Sequence, residues 1–267
     1  MKRFALPAVI LLGLAAPAWA VIDEGITAYF RGDYATALRE IRPLANQGNS
    51  GAQYSLGVMY FNGLGVPKNY AKAARWFRKA ADQGIVRAQS ALGLMYSLGY
   101  GVPQDYAGAM KWYRKAAGQG RAVAQFFVGE FYHRGRGVPQ DYNEAVKWYR
   151  MAAQGGEGMA QFFLGSFYEK GMGVPRDYDR ALKLYMEAAA NGTERSMLRL
   201  ALAYEEGKGV PLDFIQAHKW YNLAASRYQP GEDRDRSAKW RDDIAARMTP
   251  AQIAEAQRLA REWKPKK

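Results

Sequence analysis

The pattern with the strongest claim to chemistry in this chain is a glycine pair. Gly63-x-Gly65 precedes Val66-Pro67, and the same G-x-G-V-P string begins again at Gly99, Gly135, Gly171 and Gly207. A G-x-G that follows a strand and opens a helix can cradle a dinucleotide pyrophosphate, but the cradle needs a third glycine three residues on. Lys68, Gln104, Gln140, Arg176 and Leu212 stand there instead, and each string follows a helical pattern. It reads as a loop and helix stop. Other reactions lack their groups. Without Cys there is no disulfide, thiolate zinc site or cysteine nucleophile. Two histidines, His133 and His218, exclude a histidine-rich metal site. No serine is followed three residues on by lysine, and no G-x-x-x-x-G-K-[ST], H-E-x-x-H or G-x-S-x-G occurs. No catalytic residue, metal or cofactor is expected.

The elements behind these glycines are set by a period. Each step between the strings is 36 residues, with no slip. Tyr60, Tyr96, Tyr132, Tyr168 and Tyr204 keep the beat, as do Ala52-Gln53, Ala88-Gln89, Ala124-Gln125 and Ala160-Gln161. Trp76, Trp112, Trp148 and Trp220 share a phase in which Leu184 fills the fourth place. Each unit reads as two helices. Ala52, Leu56 and Tyr60 fall on one face of the first. Gly57, Gly93, Gly129 and Gly165 cost it about 1 kcal/mol each relative to Ala, so a close neighbour is expected there. The second helix begins after Asn69, Asp105, Asp141, Asp177 or Asp213, which can cap the free N–H groups of its first turn. Glu144 and Gln216 are placed to complete capping boxes. Ala73, Trp76 and Ala80 form the expected buried stripe. Gly48, Gly84, Gly120, Gly156 and Gly192 stop the second helices.

The unit A-Q-x-x-L-G-x-M-Y-x-x-G-x-G-V-P-x-D-Y-x-x-A-x-x-W-Y-R-K-A-A-x-Q-G resembles the Sel1-like repeat, a relative of the tetratricopeptide repeat. Residues 49–225 match it as five units. Residues 21–48 resemble a degenerate first unit, in which Arg31-Gly32-Asp33 replaces the long loop. The resemblance implies an all-α protein, a right-handed α-solenoid of stacked helix-turn-helix units. It implies roles in assembling or regulating envelope complexes, with the first helices lining the concave face. Some cysteine-rich relatives are linked to β-lactam binding or hydrolysis, but this chain has neither their cysteines nor a serine motif. Residues 226–267 are expected to end the stack as a helical cap and basic tail, with a helix through Ala238–Met248 and another capped by Thr249 and Gln252.

Lys2 and Arg3, an uncharged stretch over residues 4–19 and Ala18-Trp19-Ala20 form the pattern of a secretory signal. The stretch is broken by Pro7, Gly13 and Pro17 and is short for a span of about 20 residues. Residues 1–20 are therefore read as a signal peptide cleaved after Ala20, placing the protein in the periplasm or outside the cell.

Partner information must lie where the units differ. One phase reads Ser55, Ala91, Phe127, Phe163, Arg199. Packing does not require a ring there, since Ser and Ala serve elsewhere. Phe127 and Phe163, flanked by Glu130, His133, Arg134, Glu169 and Lys170 and followed by Arg199, resemble an apolar anchor with a charged rim. Local repacking with Phe126 and Phe162 is the alternative. The expected function is a non-catalytic scaffold binding a peptide or protein segment. The net charge of +13 is uneven: residues 68–155 hold 14 basic and 5 acidic side chains. Arg75, Arg78, Lys79, Lys111, Arg114, Lys115, Lys147 and Arg150 form a basic ladder on the second helices, so an anionic envelope polysaccharide or cell-wall polymer is the alternative ligand. A β-lactamase-like hydrolase is disfavoured, and an exported protein is not expected to meet nucleic acid.

Overall fold

A computed structural model of the chain describes residues 23–265, so the expected signal peptide lies outside the described residues. These residues form fourteen α-helices and, among them, no strand. The chain divides between Ile85 and Val86 into two compact units. The first holds α1 (Asp23–Arg31), α2 (Tyr34–Asn46), α3 (Ser50–Asn62) and α4 (Tyr70–Asp82). The second holds α5 (Val86–Leu98), α6 (Tyr106–Gly118), α7 (Ala122–Arg134), α8 (Tyr142–Gln154), α9 (Gly158–Lys170), α10 (Tyr178–Ala190), α11 (Glu194–Glu206), α12 (Phe214–Arg227), α13 (Glu232–Ala245) and α14 (Pro250–Glu262). Each odd-numbered helix from α1 to α11 pairs with the next as a hairpin, and within each unit successive hairpins pack through α2 on α3, α6 on α7, α8 on α9 and α10 on α11. This is α-solenoid architecture.

The helical glycines seat an aromatic ring from the partner helix. A Cβ at Gly57 would lie 2.6 Å from the Phe77 ring; at Gly93, Gly129 and Gly165 it would lie 2.7–2.8 Å from Tyr113, Tyr149 and Tyr185. The close approach offsets the helix-propensity cost. It also moves the centre of the second helix's buried stripe by one residue from the expected place. Phe77, Tyr113, Tyr149 and Tyr221 are fully buried, whereas Trp76 and Trp148 are half-buried and only Trp112 and Trp220 are enclosed. The tryptophans lie one position round the helix, against the partly covered margin. There Lys79, Lys115 and Lys219 lie over the rings of Trp76, Trp112 and Trp220 at 4.4–4.7 Å.

The repeated glutamines solve a backbone problem. The last carbonyls of a helix have no intrahelical partner. Gln53, Gln125 and Gln161 donate to the carbonyls of Ala45, Ala117 and Ala153, near the ends of the preceding second helices. Each loop glycine pair has positive φ, from Gly63 at 77° and Gly65 at 67° to Gly207 at 67° and Gly209 at 72°. The second glycine of the pair is also pressed against the preceding hairpin. A Cβ at Gly137 or Gly173 would meet the backbone of Tyr106 or Tyr142 at 2.7 Å.

Asn69, Asp141, Asp177 and Asp213 accept backbone N–H bonds in the first turns of their helices; Asp105 makes no such side-chain bond. The expected capping boxes at Glu144 and Gln216 do not close. The N–H groups of Asp141 and Asp213 already donate to the Tyr132 and Tyr204 carbonyls across the loop, at 3.0 and 2.9 Å. Glu144 turns to Lys147 instead, at 2.5 Å. The one box among the described helices is Thr249 with Gln252. α13 starts earlier than the expected Ala238. Glu232, Asp233 and Asp235 fill its first turn, where negative charge favours a helix N-terminus. α13 and α14 both pack on α12.

Candidate partner-binding surface

The phenylalanines singled out by phase join a chain of rings on α6 to α10. Phe127 stacks on Tyr113 with centroids 4.8 Å apart, and Phe163 stacks on Tyr149 at 5.6 Å. Phe126 links them, 5.3 Å from Phe127 and 5.8 Å from Phe163. Phe162 carries the line on to Tyr185 at 5.8 Å. Phe127, Phe162 and Phe163 are half-buried, while Phe126 is almost wholly enclosed. One side of the Phe127 and Phe163 rings thus packs as the repacking alternative expects, and the other is open to solvent.

The flanking residues divide. Glu130 pairs with Arg134 at 3.0 Å across one helical turn, and Arg134 and Lys170 are exposed. Glu169 accepts the Tyr185 hydroxyl proton at 2.5 Å and lies 3.8 Å from Arg199. His133 Nδ1 lies 3.2 Å from the Tyr149 hydroxyl. Its ring meets Phe167 edge-on at 4.9 Å and Phe163 at 5.8 Å. Burial, with Arg134 and Lys170 adding to it, holds the His133 pKa below the ordinary value. His133 is therefore neutral near pH 7 and can accept the Tyr149 proton. Burial also raises the pKa of Tyr149, and burial together with Glu169 raises that of Tyr185.

His133 and Glu169 belong to a series that sequence reasoning missed. In four of the five repeat hairpins the second-helix aromatic one place past the tryptophan phase meets the residue sixteen positions earlier. The pairs are Phe77 with Phe61, Tyr149 with His133, Tyr185 with Glu169 and Tyr221 with Glu205. Three of the four tyrosines at this phase find an answering group there; Tyr113 does not, its hydroxyl being buried without a hydrogen-bond partner while Ser97 opposite donates to the Leu94 carbonyl. The signal lay in the spacing: the one repeat hairpin with Phe at the second-helix position also has Phe opposite. Next to Glu169, a cleft of about 120 Å³ is lined by Tyr185, Arg199, Leu202, Glu206 and Lys208.

The basic ladder is partly committed to packing. Arg114 and Arg150 donate to the hydroxyls of Tyr132 and Tyr168 in the following hairpins, and Lys115 covers Trp112. Lys111 and Lys147 are exposed, though Lys147 is paired with Glu144.

The stacked hairpins define a repeat protein of the solenoid class. The Sel1 repeat family model matches residues 50–85, 86–120, 122–157, 158–193 and 195–228. The chain belongs to the Sel1 repeat family, whose members are generally non-catalytic and serve as protein-interaction scaffolds. It is similar to a Sel1 repeat protein from Oxalobacter formigenes, at 34% identity and TM-score 0.72, over 82% of this chain and 94% of that one. It is also similar to c5321, a protective antigen present in uropathogenic Escherichia coli strains that displays an SLR fold, at 33% identity and TM-score 0.73. That match covers 88% of this chain and 54% of the antigen, so this chain spans about half its length. No curated protein sequence matches the chain significantly. No helix among the described residues is long and apolar enough to cross a membrane.

Proposed function

We propose that this protein is an exported scaffold that holds a peptide or protein segment on the first-helix face around α7 and α9. One observation carries the reading: two successive hairpins place half-buried rings, Phe127 and Phe163, at a phase where the others have Ser55, Ala91 and Arg199. Rings backed by Tyr113 and Tyr149 are pre-organised, so a partner's apolar side chain is received with little loss of side-chain freedom. The Glu130–Arg134 pair and the Glu169–Arg199 pair border them and would orient polar groups of the segment. Export rests on Lys2, Arg3 and the apolar stretch ending at Ala18-Trp19-Ala20, and predicts a mature N-terminus at Val21.

The test is selection of a displayed peptide library on the purified mature protein. Peptides with a central aromatic or aliphatic residue should be enriched. Phe127→Ala with Phe163→Ala, using the side chain carried by Ala91, should release them. Because both rings also pack, unfolding is measured on the same sample. Selected peptides retained equally by a folded double variant refute the assignment. The alternative, an anionic envelope polymer on the second helices, is weakened by the commitment of Arg114, Arg150 and Lys115 to aromatic partners.

A further inference from the structure

The fifth hairpin breaks the repeat at one core position. Ala74, Met110, Val146 and Leu182 share a phase, and all four are buried apolar side chains. His218 stands at that phase in α12. It is only 3% exposed, and its Nδ1 is buried without a hydrogen-bond partner. Burying a polar ring atom unmet costs about 1–3 kcal/mol relative to a paired one. The apolar residue used by the other hairpins carries no such cost. Sites that break a local rule without structural return are where function is expected.

The surroundings are also particular to this end of the stack. His218 and Asn222 from α12, Arg241, Asp242 and Ala245 from α13, and Ile253, Gln257 and Arg261 from α14 line a cleft of about 440 Å³. Ile253, Gln257 and Arg261 are spaced i, i+4, i+8, so α14 turns one stripe toward it. Asn222 takes the phase held by Arg78, Arg114 and Arg150 in earlier hairpins. Its carbonyl oxygen accepts from Arg241 Nη1 at 3.4 Å. Arg241 is neutralised on its other edge by Asp242, with Nε donating to Oδ1 at 2.8 Å. Arg261 has no ion-pair or hydrogen-bond partner among the described residues. The cleft therefore carries one uncompensated positive charge, amide donors on Asn222 and Gln257, an imidazole, and an apolar wall of Ala245 and Ile253.

We propose that this cleft binds a small organic carboxylate, its anionic head between Arg261 and His218 and its short apolar body against Ile253 and Ala245. One carboxylate matches the single free cation. Arg261 and the amide groups of Gln257 and Asn222 can donate to its oxygens, and charge-assisted bonds of this kind are the stronger ones. Burial, reinforced by Arg241, holds the His218 pKa low, so the apo ring is neutral near pH 7 and an anion beside it would be reported directly by its resonances. The site lies on α12–α14 and stands independently of the Phe127 and Phe163 surface.

The chain has only two histidines, so their ring signals in NMR serve as separate reporters. Isovalerate is titrated into the mature protein, with isovaleramide as the uncharged isostere. The expected result is a saturable shift of the His218 signal with isovalerate alone, while His133 stays fixed. Arg261→Gln should weaken that response about tenfold, as loss of one charge-assisted partner does. A blocked dipeptide ending in valine, as free acid and as amide, identifies the source of the carboxylate. Binding of the free acid points to a chain terminus, and exclusion of the dipeptide with retention of isovalerate points to a free small acid. A companion variant, His218→Leu, should raise the melting temperature, since Leu182 fills that phase elsewhere. Equal responses to acid and amide, an unmoved His218 signal, or destabilisation by His218→Leu would each overturn the assignment.

Discussion

Gly129→Ala isolates the contact on which the hairpin depends. A methyl group there would lie 2.8 Å from Tyr149 Cδ1, 3.0 Å from Cε1 and 3.3 Å from the Ala145 carbonyl oxygen. Ordinary contact needs several tenths of an ångström more, so either the ring or the helix must move. The ring is held on every side: fully buried, stacked on Phe163, close to Phe126 at 5.8 Å, and bonded at its hydroxyl to His133. Overpacking of such a site costs about 2–3 kcal/mol. Alanine returns about 1 kcal/mol of helix propensity. The net loss is about 1–2 kcal/mol. Gly118→Ala is the control, because it also lies in a helix and a Cβ there meets nothing within 4 Å. That change should stabilise by about 0.5 kcal/mol through the unfolded chain. Urea midpoints followed by far-ultraviolet circular dichroism should therefore move in opposite directions for the two variants. If both rise, the ring has room to give, and the reasoning from glycine to ring seat is refuted.

Tyr185→Phe removes the hydroxyl that Glu169 accepts; a stability loss of about 1.5 kcal/mol is expected by urea unfolding, as for a bond to a charged group. The hairpin built on Phe77 has no hydroxyl to offer, so its matching test is Phe61→Glu, which sets a carboxylate against a ring that cannot answer it; the first unit should lose stability, measured by the same method. Acidification is expected to weaken the fold through both histidines. Their folded pKa values lie below the ordinary 6.5, so the unfolded chain takes up protons first, and stability falls as pH drops through about 6.5 toward the folded values. His133→Gln with His218→Leu should flatten the slope of melting temperature against pH in that window. Tyr168 is also buried but differs in its neighbours: burial opposes its ionisation, and Arg150 and Arg180 outweigh burial and lower its pKa. In an ultraviolet titration it should ionise ahead of Tyr149 and Tyr185, and Arg150→Met should delay it.

The sequence made the helices, loops and stack legible because each is repeated at a strict spacing. Gly129 had no reason in its own helix, and the spacing rightly implied a neighbour. What it left open was which ring fills the seat. Trp148 and Tyr149 are adjacent, and one helical step of about 100° separates the enclosed face from its margin. The capping boxes failed because the bond that displaced them, from the Asp141 N–H to Tyr132, crosses a loop whose path no local pattern states. At the candidate surface, Phe127 and Phe163 stood out by their departure from phase, but their stacking on tyrosine depends on the neighbouring helix. His218 departs from its phase just as plainly. It passed unnoticed because Arg241 and Arg261, which line the cleft beside it, lie beyond the last repeat, where periodicity offers no register.

The pairing of four second-helix rings with a residue sixteen places upstream limits how the gene can lengthen or shorten. Blocks of 36 residues that share one pattern invite unequal crossover. A junction between hairpins moves both members of a pair together and leaves Glu169 with Tyr185, or Phe61 with Phe77. A junction inside a G-x-G-V-P loop is equally easy for the DNA, yet where it joins half of the Phe61–Phe77 hairpin to half of a later one it would set a carboxylate against Phe77 or a phenylalanine against a tyrosine hydroxyl. Rearrangements that join half of the Phe61–Phe77 hairpin to half of another should therefore be selected against, whereas seams at Gly84, Gly120, Gly156 or Gly192 keep every pair intact.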